Sequence, residues 1–367
     1  MAAPREPASE PGAPRRRPRV GFALAVTWLA FVLIHLALTG RTWLGNVTDV
    51  VPPLLYAVAP LALLLGLPWT AGPRRWTALV TTAALAIGLS AEAGVNWHAL
   101  TAPAPPAPPG SAMRVLAWNT QYWDQDDDPD VLYRYLRAQR ADVYLLQEYL
   151  HWPARTPQRI DQLAAVRREF PGFHIAVRGE LLTLSRFPIV RTTPLRGRDL
   201  PADPSPWPEF WAVKALRTDL RVHDRELSVY NLHWDTPIGD SRNPLSAGFH
   251  RQVQEQHQRR AAHLRALTHD LTRNRRPTLV AGDFNSTPAS GDLREIRSLL
   301  SDATPAQRDL LPASFRTDGL IPGLWRLDWV FTGGGVRVHR YRFTDAQGLS
   351  DHEAQSLVVS LAPHGGG

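Results

Sequence analysis

Three nearly uncharged apolar runs in the first hundred residues constrain this chain more than any other feature. Residues 20–38 hold His35 as their only titratable group, residues 50–69 carry no charge, and residues 76–97 carry Glu92 near their far end. A helix of about 20 residues spans roughly 30 Å, the thickness of a bilayer's hydrocarbon core. Pro52, Pro53, Pro60 and Pro68 are tolerable in a membrane helix, and Trp28, Trp43, Trp69, Trp76 and Trp97 fall mostly near the run ends, where aromatic belts form. Two blander readings exist: a cleaved signal peptide for the first run, or a buried helical core for all three. The closeness of the second and third runs argues against the signal peptide. The expectation is a three-helix transmembrane anchor.

Arginine sets the expected orientation. The cluster Arg15, Arg16, Arg17 and Arg19 keeps the N-terminus cytoplasmic, and Arg74 with Arg75 places the loop before the third helix on the same side. Three crossings then put everything downstream outside the cytoplasm. The chain divides into a disordered basic tail (1–19), the anchor (20–100), a Pro-rich linker (101–112), a soluble domain (113–360) and a flexible tail (361–367). The linker reads as a semi-rigid spacer that holds the next domain off the membrane. Lys+Arg exceeds Asp+Glu by 41 to 34, but the N-terminal tail alone supplies +3 of the net +7, so the soluble domain's charge is weak evidence for nucleic-acid binding. The chain has no cysteine, which excludes disulfide scaffolds, Cys-based metal sites and thiol catalysis.

The soluble domain alternates short apolar runs with amphipathic ones. Strands are expected at 113–118, 142–146, 181–184, 212–221, 227–232, 278–281, 325–331, 336–341 and 354–360, and helices at 131–138, 157–170 and 248–273. Strands alternating with helices indicate an α/β layered fold. The apparent hairpins around 223–225 and 333–335 argue against a purely parallel sheet.

Polar residues cluster at the ends of these strands: Asn119, Glu148, Asn231, His233, Asp283, Asn285, Asp328, Asp351 and His352. Strand ends are rigid, and polar groups gathered there can point into one cleft. Each alone is an ordinary turn former or cap. No P-loop and no Gly-x-Ser-x-Gly elbow accompanies them, so an Asp/Asn/Glu-rich set favours a hard metal and an oxyanion substrate.

In order, the stretches Val115-Leu116-Ala117-Trp118-Asn119, Leu146-Gln147-Glu148, Leu184-Ser185-Arg186-Phe187-Pro188, Asn231-Leu232-His233, Gly282-Asp283-Phe284-Asn285, Arg326-Leu327-Asp328-Trp329-Val330-Phe331 and Ser350-Asp351-His352 resemble the endonuclease/exonuclease/phosphatase superfamily. The resemblance, to a membrane-anchored actinobacterial-type member, covers essentially residues 113–360. It implies a four-layer α/β sandwich, two mixed β-sheets packed face to face with helices outside. It also implies roles. Glu148 binds Mg²⁺ or Mn²⁺ with Asn119 and Asp351 beside it. His352 contacts the scissile phosphate or transfers a proton, and Asp328 fixes its imidazole. Asp283 orients or deprotonates the attacking water, with the choice of general base between Asp283 and His352 left open. Asn285 donates to a phosphate oxygen, and His233 and Asn231 reach the phosphate from another side. One departure, Leu232 where many relatives have Thr, together with the retained His233, points away from DNA repair.

The implied activity is metal-dependent hydrolysis of a phosphate ester or anhydride. Its substrate is either a lipid-linked (pyro)phosphate of the cell envelope or, as an anchored nuclease or nucleotide phosphodiesterase, a nucleic acid or nucleotide. A non-catalytic envelope binding protein is a third reading. The expected partners are the phosphorylated substrate and the lipid bilayer; no protein partner is inferable. Residues 199–211, rich in Pro and aromatics, read as a substrate lip or as ordinary loop packing. Residues 238–251 read as a lid or a connecting loop. His257, His263 and His269 read as solvated surface.

Overall fold

Two pairs of parallel strands set the architecture. Strand β1 (Met113–Asn119) runs parallel to β2 (Val143–Gln147), and β9 (Arg225–His233) runs parallel to β10 (Thr278–Asp283). The computed structural model describes residues 19–70, 72–101, 111–123, 128–153, 156–201, 206–239, 243–317 and 323–362. The first pair is extended antiparallel by β5 (His174–Arg178), β6 (Leu181–Ser185), β13 (Val336–Thr344) and β14 (Ala354–Leu361), in the order β13-β14-β1-β2-β6-β5. The second is extended by β7 (Ile189–Arg196), β8 (Val213–Val222), β11 (Ser301–Asp302) and β12 (Asp328–Gly333), in the order β11-β12-β10-β9-β8-β7. A small ribbon pairs β3 (Leu150–His151) with β4 (Gln158–Arg159).

Period-two alternation assigns each side chain to a face. Val115, Ala117, Val143 and Leu145 meet Leu227, Val229, Leu279 and Ala281 in the core between the sheets. The even-numbered neighbours turn outward. Leu116, Trp118 and Leu146 pack under α5 (Pro129–Ala138) and α6 (Leu163–Glu169), while Tyr230, Leu232 and Val280 pack under α8 (Ala247–Arg273) and α9 (Asp292–Leu299). The order is therefore helix, sheet, sheet, helix, as the sequence resemblance implies. A short α7 (Pro208–Ala212) leads into β8. Gly282 lies at φ +145° with Leu232 O where a Cβ would stand, at 2.0 Å, so only glycine lets β9 and β10 approach this closely just before Asp283.

Two local expectations fail for physical reasons. The strands flanking Gly333–Gly335 do not pair: β12 belongs to one sheet and β13 to the other, so the turn carries the chain between layers. The helix expected over 157–170 begins only at Leu163, because Gln158 and Arg159 form the ribbon with His151 and Leu150.

The anchor region contains α1 (Val20–Leu38), α2 (Trp43–Asp49), α3 (Leu55–Leu65) and α4 (Arg74–Ile87), the last continued by a π-turn over Gly88–Glu92. Among the described residues only α1 is long and apolar enough to cross a membrane; by length and composition it fits an anchor or a signal sequence. The second expected span is shortened to an 11-residue helix containing Pro60. Fifteen of the twenty exposed large apolar side chains among the described residues lie between 20 and 100.

The anchor region is not held away from the domain. Gly291 N donates to Thr39 Oγ1 at 2.7 Å, Thr287 Oγ1 donates to Asp49 O at 2.9 Å, and His35 Nε2 lies 3.2 Å from Ala289 O. Asn96 N donates to Leu310 O at 2.8 Å, and Trp325 Nε1 donates to Val50 O at 3.3 Å. Gly40, at φ +69°, lies against Gly291, whose carbonyl carbon a Cβ would meet at 2.6 Å. These contacts join the N-terminal helices directly to the domain that follows. Residues 102–110 themselves, with 1–18 and 363–367 of the two tails, lie outside the described residues.

Thr39→Val leaves the buried Gly291 N–H unpaired at nearly constant volume. Urea unfolding of the full chain in detergent is expected to show a loss of about 1–3 kcal/mol. An unchanged midpoint would mean that anchor and domain are not docked.

Candidate active site

Parallel pairing brings the C-terminal ends of β1, β2, β9 and β10 to one edge of the sandwich. Asn119 pairs with Gln147, and Asp283 pairs with both His233 and Asp328. Glu148 follows β2 directly, and His352 precedes β14, which runs antiparallel to β1. Distant segments thus deliver Asn119, Glu148, His233, Asp283, Asp328 and His352 to one place.

The contacts form a continuous chain. Asn119 Nδ2 donates to Glu148 Oε1 and Asp283 Oδ2, both at 3.1 Å. His233 Nε2 lies 3.8 Å from Glu148 Oε1 and 3.5 Å from Asp283 Oδ2, and His352 Nε2 reaches Asp283 Oδ2 at 3.5 Å. His352 Nδ1 contacts Asp328 Oδ2 at 2.8 Å, which also accepts from Ser314 Oγ at 2.7 Å. Trp118 Nε1 donates to His352 O at 2.9 Å, and Ser350 Oγ donates to Asn119 O at 2.8 Å, fixing the loop that carries His352. Glu148 and Asn285 adopt left-handed backbone, at φ 61° and 47°. For residues other than glycine this conformation is strained, and such strain concentrates at functional sites.

Electrostatics bind the cluster together. Burial lowers the pKa of His352, but Asp328 and Asp283 outweigh it and raise the imidazole to about 10. Burial likewise opposes charge on His233, and Glu180 and Asp283 raise it to about 9. Burial would raise the Glu180 carboxyl, yet His233 and Lys214 hold it at about 2. Burial pushes Glu148 and Asp351 up, with nearby His233 and His352 respectively opposing it. Glu148, Glu180, Asp283, Asp328 and Asp351 supply five carboxylates, against His233, His352 and Lys214, a deficit of two positive charges when all are ionised. A hard divalent cation would meet that deficit, and the oxygen-rich donor set fits one. Asp283, Asp328 and His352 also hold ligand atoms within 4.8 Å of one another.

Some expected roles are corrected. Asn231 lies wholly inside: its Nδ2 donates to Leu146 O and Leu182 O, and its Oδ1 accepts from Gln147 Nε2 at 2.6 Å, so it ties the two sheets together and cannot reach a phosphate. Asn285 Nδ2 is directed to Trp234 O at 2.7 Å and Asp283 Oδ2 at 3.2 Å, which makes it a brace for the strand end. Asn119 turns its oxygen to Gln121 N–H, at 3.0 Å, and its nitrogen to the carboxylates. His263 is buried at 2 % exposure, and burial pushes it down to about 4; it does not belong to the solvated surface.

Other residues carry no signal in the motifs. Glu180 receives His233 Nδ1 at 3.0 Å and pairs with Lys214. The available hint was that Lys214 is the chain's single lysine among 41 cationic Lys and Arg residues. Beside Glu148 and His233 opens a cavity of about 490 Å³, walled by Trp152, Phe210, Trp211 and Trp234. The aromatic stretch before β8 therefore lines the site as well as packing: Phe210 is 4 % exposed and carries Lys214 Nζ 3.5 Å above its ring.

The sequence profile of the Endonuclease/Exonuclease/phosphatase family matches residues 116–352. No curated protein sequence matches the chain. Among solved structures, an endonuclease/exonuclease/phosphatase from Bacteroides vulgatus is 15% identical with a TM-score of 0.49, over 68% of this chain and 99% of its own. One from Beutenbergia cavernae is 19% identical with a TM-score of 0.48, over 69% of this chain and 72% of its own. A mannosyl-6-phosphatase from Bacteroides thetaiotaomicron is 14% identical with a TM-score of 0.47, over 68% of this chain and 100% of its own. With the profile spanning more than half of the sequence and every strand end of the site inside it, this chain belongs to the endonuclease/exonuclease/phosphatase family.

Proposed function

We propose that this protein is a membrane-anchored, extracytoplasmic phosphohydrolase, dependent on Mg²⁺ or Mn²⁺, that hydrolyses a lipid-linked phosphate ester or anhydride of the cell envelope. The observation that carries the reading is the position of the anchor. The loop leaving Asp283 and Asn285 is the one that Thr39, His35 and Asp49 hold, so the catalytic edge and the anchor share a face. A tether serving only to retain a nuclease has no need of that arrangement, whereas an enzyme working on a membrane-bound phosphate does. The three apolar stretches are read as spans, with α3 completed by its flanking turns and α4 by the π-turn, the N-terminus inside and the domain outside.

Glu148 would hold the divalent cation, with Asn119 and Asp351 near the ion, which when bound would polarise a phosphoryl oxygen. His352, kept charged by Asp328, donates to the phosphate and then to the leaving oxygen. Asp283 orients the attacking water and takes its proton. The new P–O bond forms as the bond to the leaving group breaks, and the leaving oxygen departs protonated. His233, charged through Glu180, stabilises negative charge from the other side.

The test uses the full chain in vesicles with Mg²⁺ or Mn²⁺, polyprenyl pyrophosphate beside plasmid DNA, and variants Glu148→Ala and His352→Ala. Phosphate release with DNA intact, reduced at least about 10²-fold in each variant, is the expected result. DNA cleavage with an inert lipid would make the protein an anchored nuclease. Binding without turnover of either would make it a non-catalytic module.

The histidine shift has a signed consequence. A pKa raised on folding means that the folded chain binds the proton more tightly. His352 therefore contributes most stability below its unfolded value of about 6.5, and the contribution is lost as pH rises through about 10. In EDTA, the stability difference between wild type and His352→Gln should shrink across that window. A difference independent of pH would contradict the charged His352.

A further inference from the structure

A hollow of about 400 Å³ opens on the outer face of the sheet that holds β1, β13 and β14, lined by Arg114, Arg140, Arg340 and Arg342 with Gln139 and Ser356. No carboxylate belongs to the lining, and among the described residues no hydrogen-bond or ion-pair partner meets any of the four guanidinium groups. Asp142, close in sequence to Arg140, is already engaged: its carboxylate accepts from Arg114 N at 2.9 Å and faces Arg186 Nε at 3.7 Å. Elsewhere in the domain Arg217, Arg260, Arg276 and Arg316 each meet a carboxylate. Arg114 lies near the start of β1, and the five residues from there to Asn119 span about 17 Å, so the hollow is separate from the catalytic edge.

Two backbone irregularities gather these side chains. Val358 on β14 pairs with Arg114 on one side and with Arg340 on the other, so the two arginines share a face two strand spacings, about 10 Å, apart. Arg342 pairs with Ser356 on the same face. On β13, Val336 and Val338 point into the core, and unbroken alternation would send Arg340 after them. A bulge between Val338 and Arg340 resets the phase, so that Tyr341 and Phe343 enter the core while Arg340 and Arg342 turn out. His339, the extra residue, is buried with its Nε2 2.8 Å from Ser360 Oγ. Arg140 follows the C-cap of α5 in left-handed backbone, at φ 50°, where glycine is usual. The carbonyl end of α5 supplies about half a negative charge there, too little to offset four positive ones. Like charges grouped in this way repel one another, and a multivalent anion relieves the repulsion.

Arginine forks match the oxygens of phosphate in pairs, and four of them suit an anion with two phosphate groups. The volume is that of a small-molecule site. No aromatic side chain belongs to the lining, so it offers no platform on which a nucleobase could stack. We propose that this hollow binds a diphosphate group, free as pyrophosphate or carried on a lipid, at a site distinct from the catalytic edge. The inference does not depend on the phosphohydrolase reading.

The test is calorimetric titration of the full chain in detergent and EDTA with inorganic pyrophosphate, and with orthophosphate as control. Wild type is compared with the double variant Arg340→Gln/Arg342→Gln, with Arg114→Gln as an independent second variant, and with His352→Gln. The three arginines are exposed, and circular dichroism checks folding. Pyrophosphate should bind wild type at least about tenfold more tightly than orthophosphate, and each arginine variant should lose at least about tenfold of that affinity while His352→Gln retains it. With Mg²⁺ present, turnover of p-nitrophenyl phosphate should be the same in wild type and the arginine variants. No pyrophosphate binding in wild type, or binding lost in His352→Gln and kept in the arginine variants, would overturn the site. Binding with no turnover in any protein would instead overturn the phosphohydrolase reading and leave this site standing. The same titration in phosphatidylcholine bilayers with and without polyprenyl pyrophosphate separates the two sources. Competition by the lipid supports a lipid-borne diphosphate, and its absence supports the free anion.

Discussion

The structure depends on gathering five carboxylates at one edge of a β-sandwich without letting them drive it apart. Like charges at this spacing cannot all ionise unless opposite charge is placed among them. His233 and His352 do this from the inner ends of β9 and before β14, each with a carboxylate behind it, Glu180 and Asp328 respectively. Lys214 closes the inner side of Glu180. The remaining deficit lies around Glu148, Asp351 and Asp283, where the proposed divalent cation and phosphate would meet. Stability and chemistry thus rest on the same arrangement of charge.

That arrangement follows from strand direction. β1 with β2, and β9 with β10, end on the same edge because each pair is parallel, and the long α8 returns the chain between the second pair. Residues on this edge are backed by large buried side chains, such as Trp118 holding His352 O and Trp329 donating to Ser286 O at 2.7 Å. The same edge receives the anchor region, so the loops that complete the site also form the seam with α1 and α2. The N-terminal helices and the loop that follows the site meet at Thr287, Ala289 and Gly291.

Much of this was legible in the sequence. A polar residue at the end of an apolar strand has a fixed position, and Asn119, Glu148, His233, Asp283, Asp328 and His352 all meet in the site. Asn231 resembles a site residue in sequence because it shares a face with His233, two residues on, but it lies one step deeper, between the sheets. Glu180 carries no sequence signal, because Gly179-Glu180 has the pattern of any hairpin tip. Lys214 sits within an apolar strand, and no pattern says that its ammonium meets a carboxylate from another layer. The docking of the anchor left no trace because it uses backbone groups, Ala289 O, Gly291 N and Asp49 O, which every residue possesses. The turn at Gly333–Gly335 looked like a hairpin because glycine permits either a hairpin or a crossing between sheets.

On the proposed reading, one divalent cation held chiefly by Glu148 would meet the unmatched charge at this edge. The most direct test of that reading is a titration of Mn²⁺ into the full chain, followed by the electron paramagnetic resonance of the free ion, in wild type and in Glu148→Gln. The account predicts about one ion bound per chain, displaced by Mg²⁺, with affinity at least about tenfold weaker in the variant. Undiminished binding in Glu148→Gln, or no binding in the wild type, would contradict it.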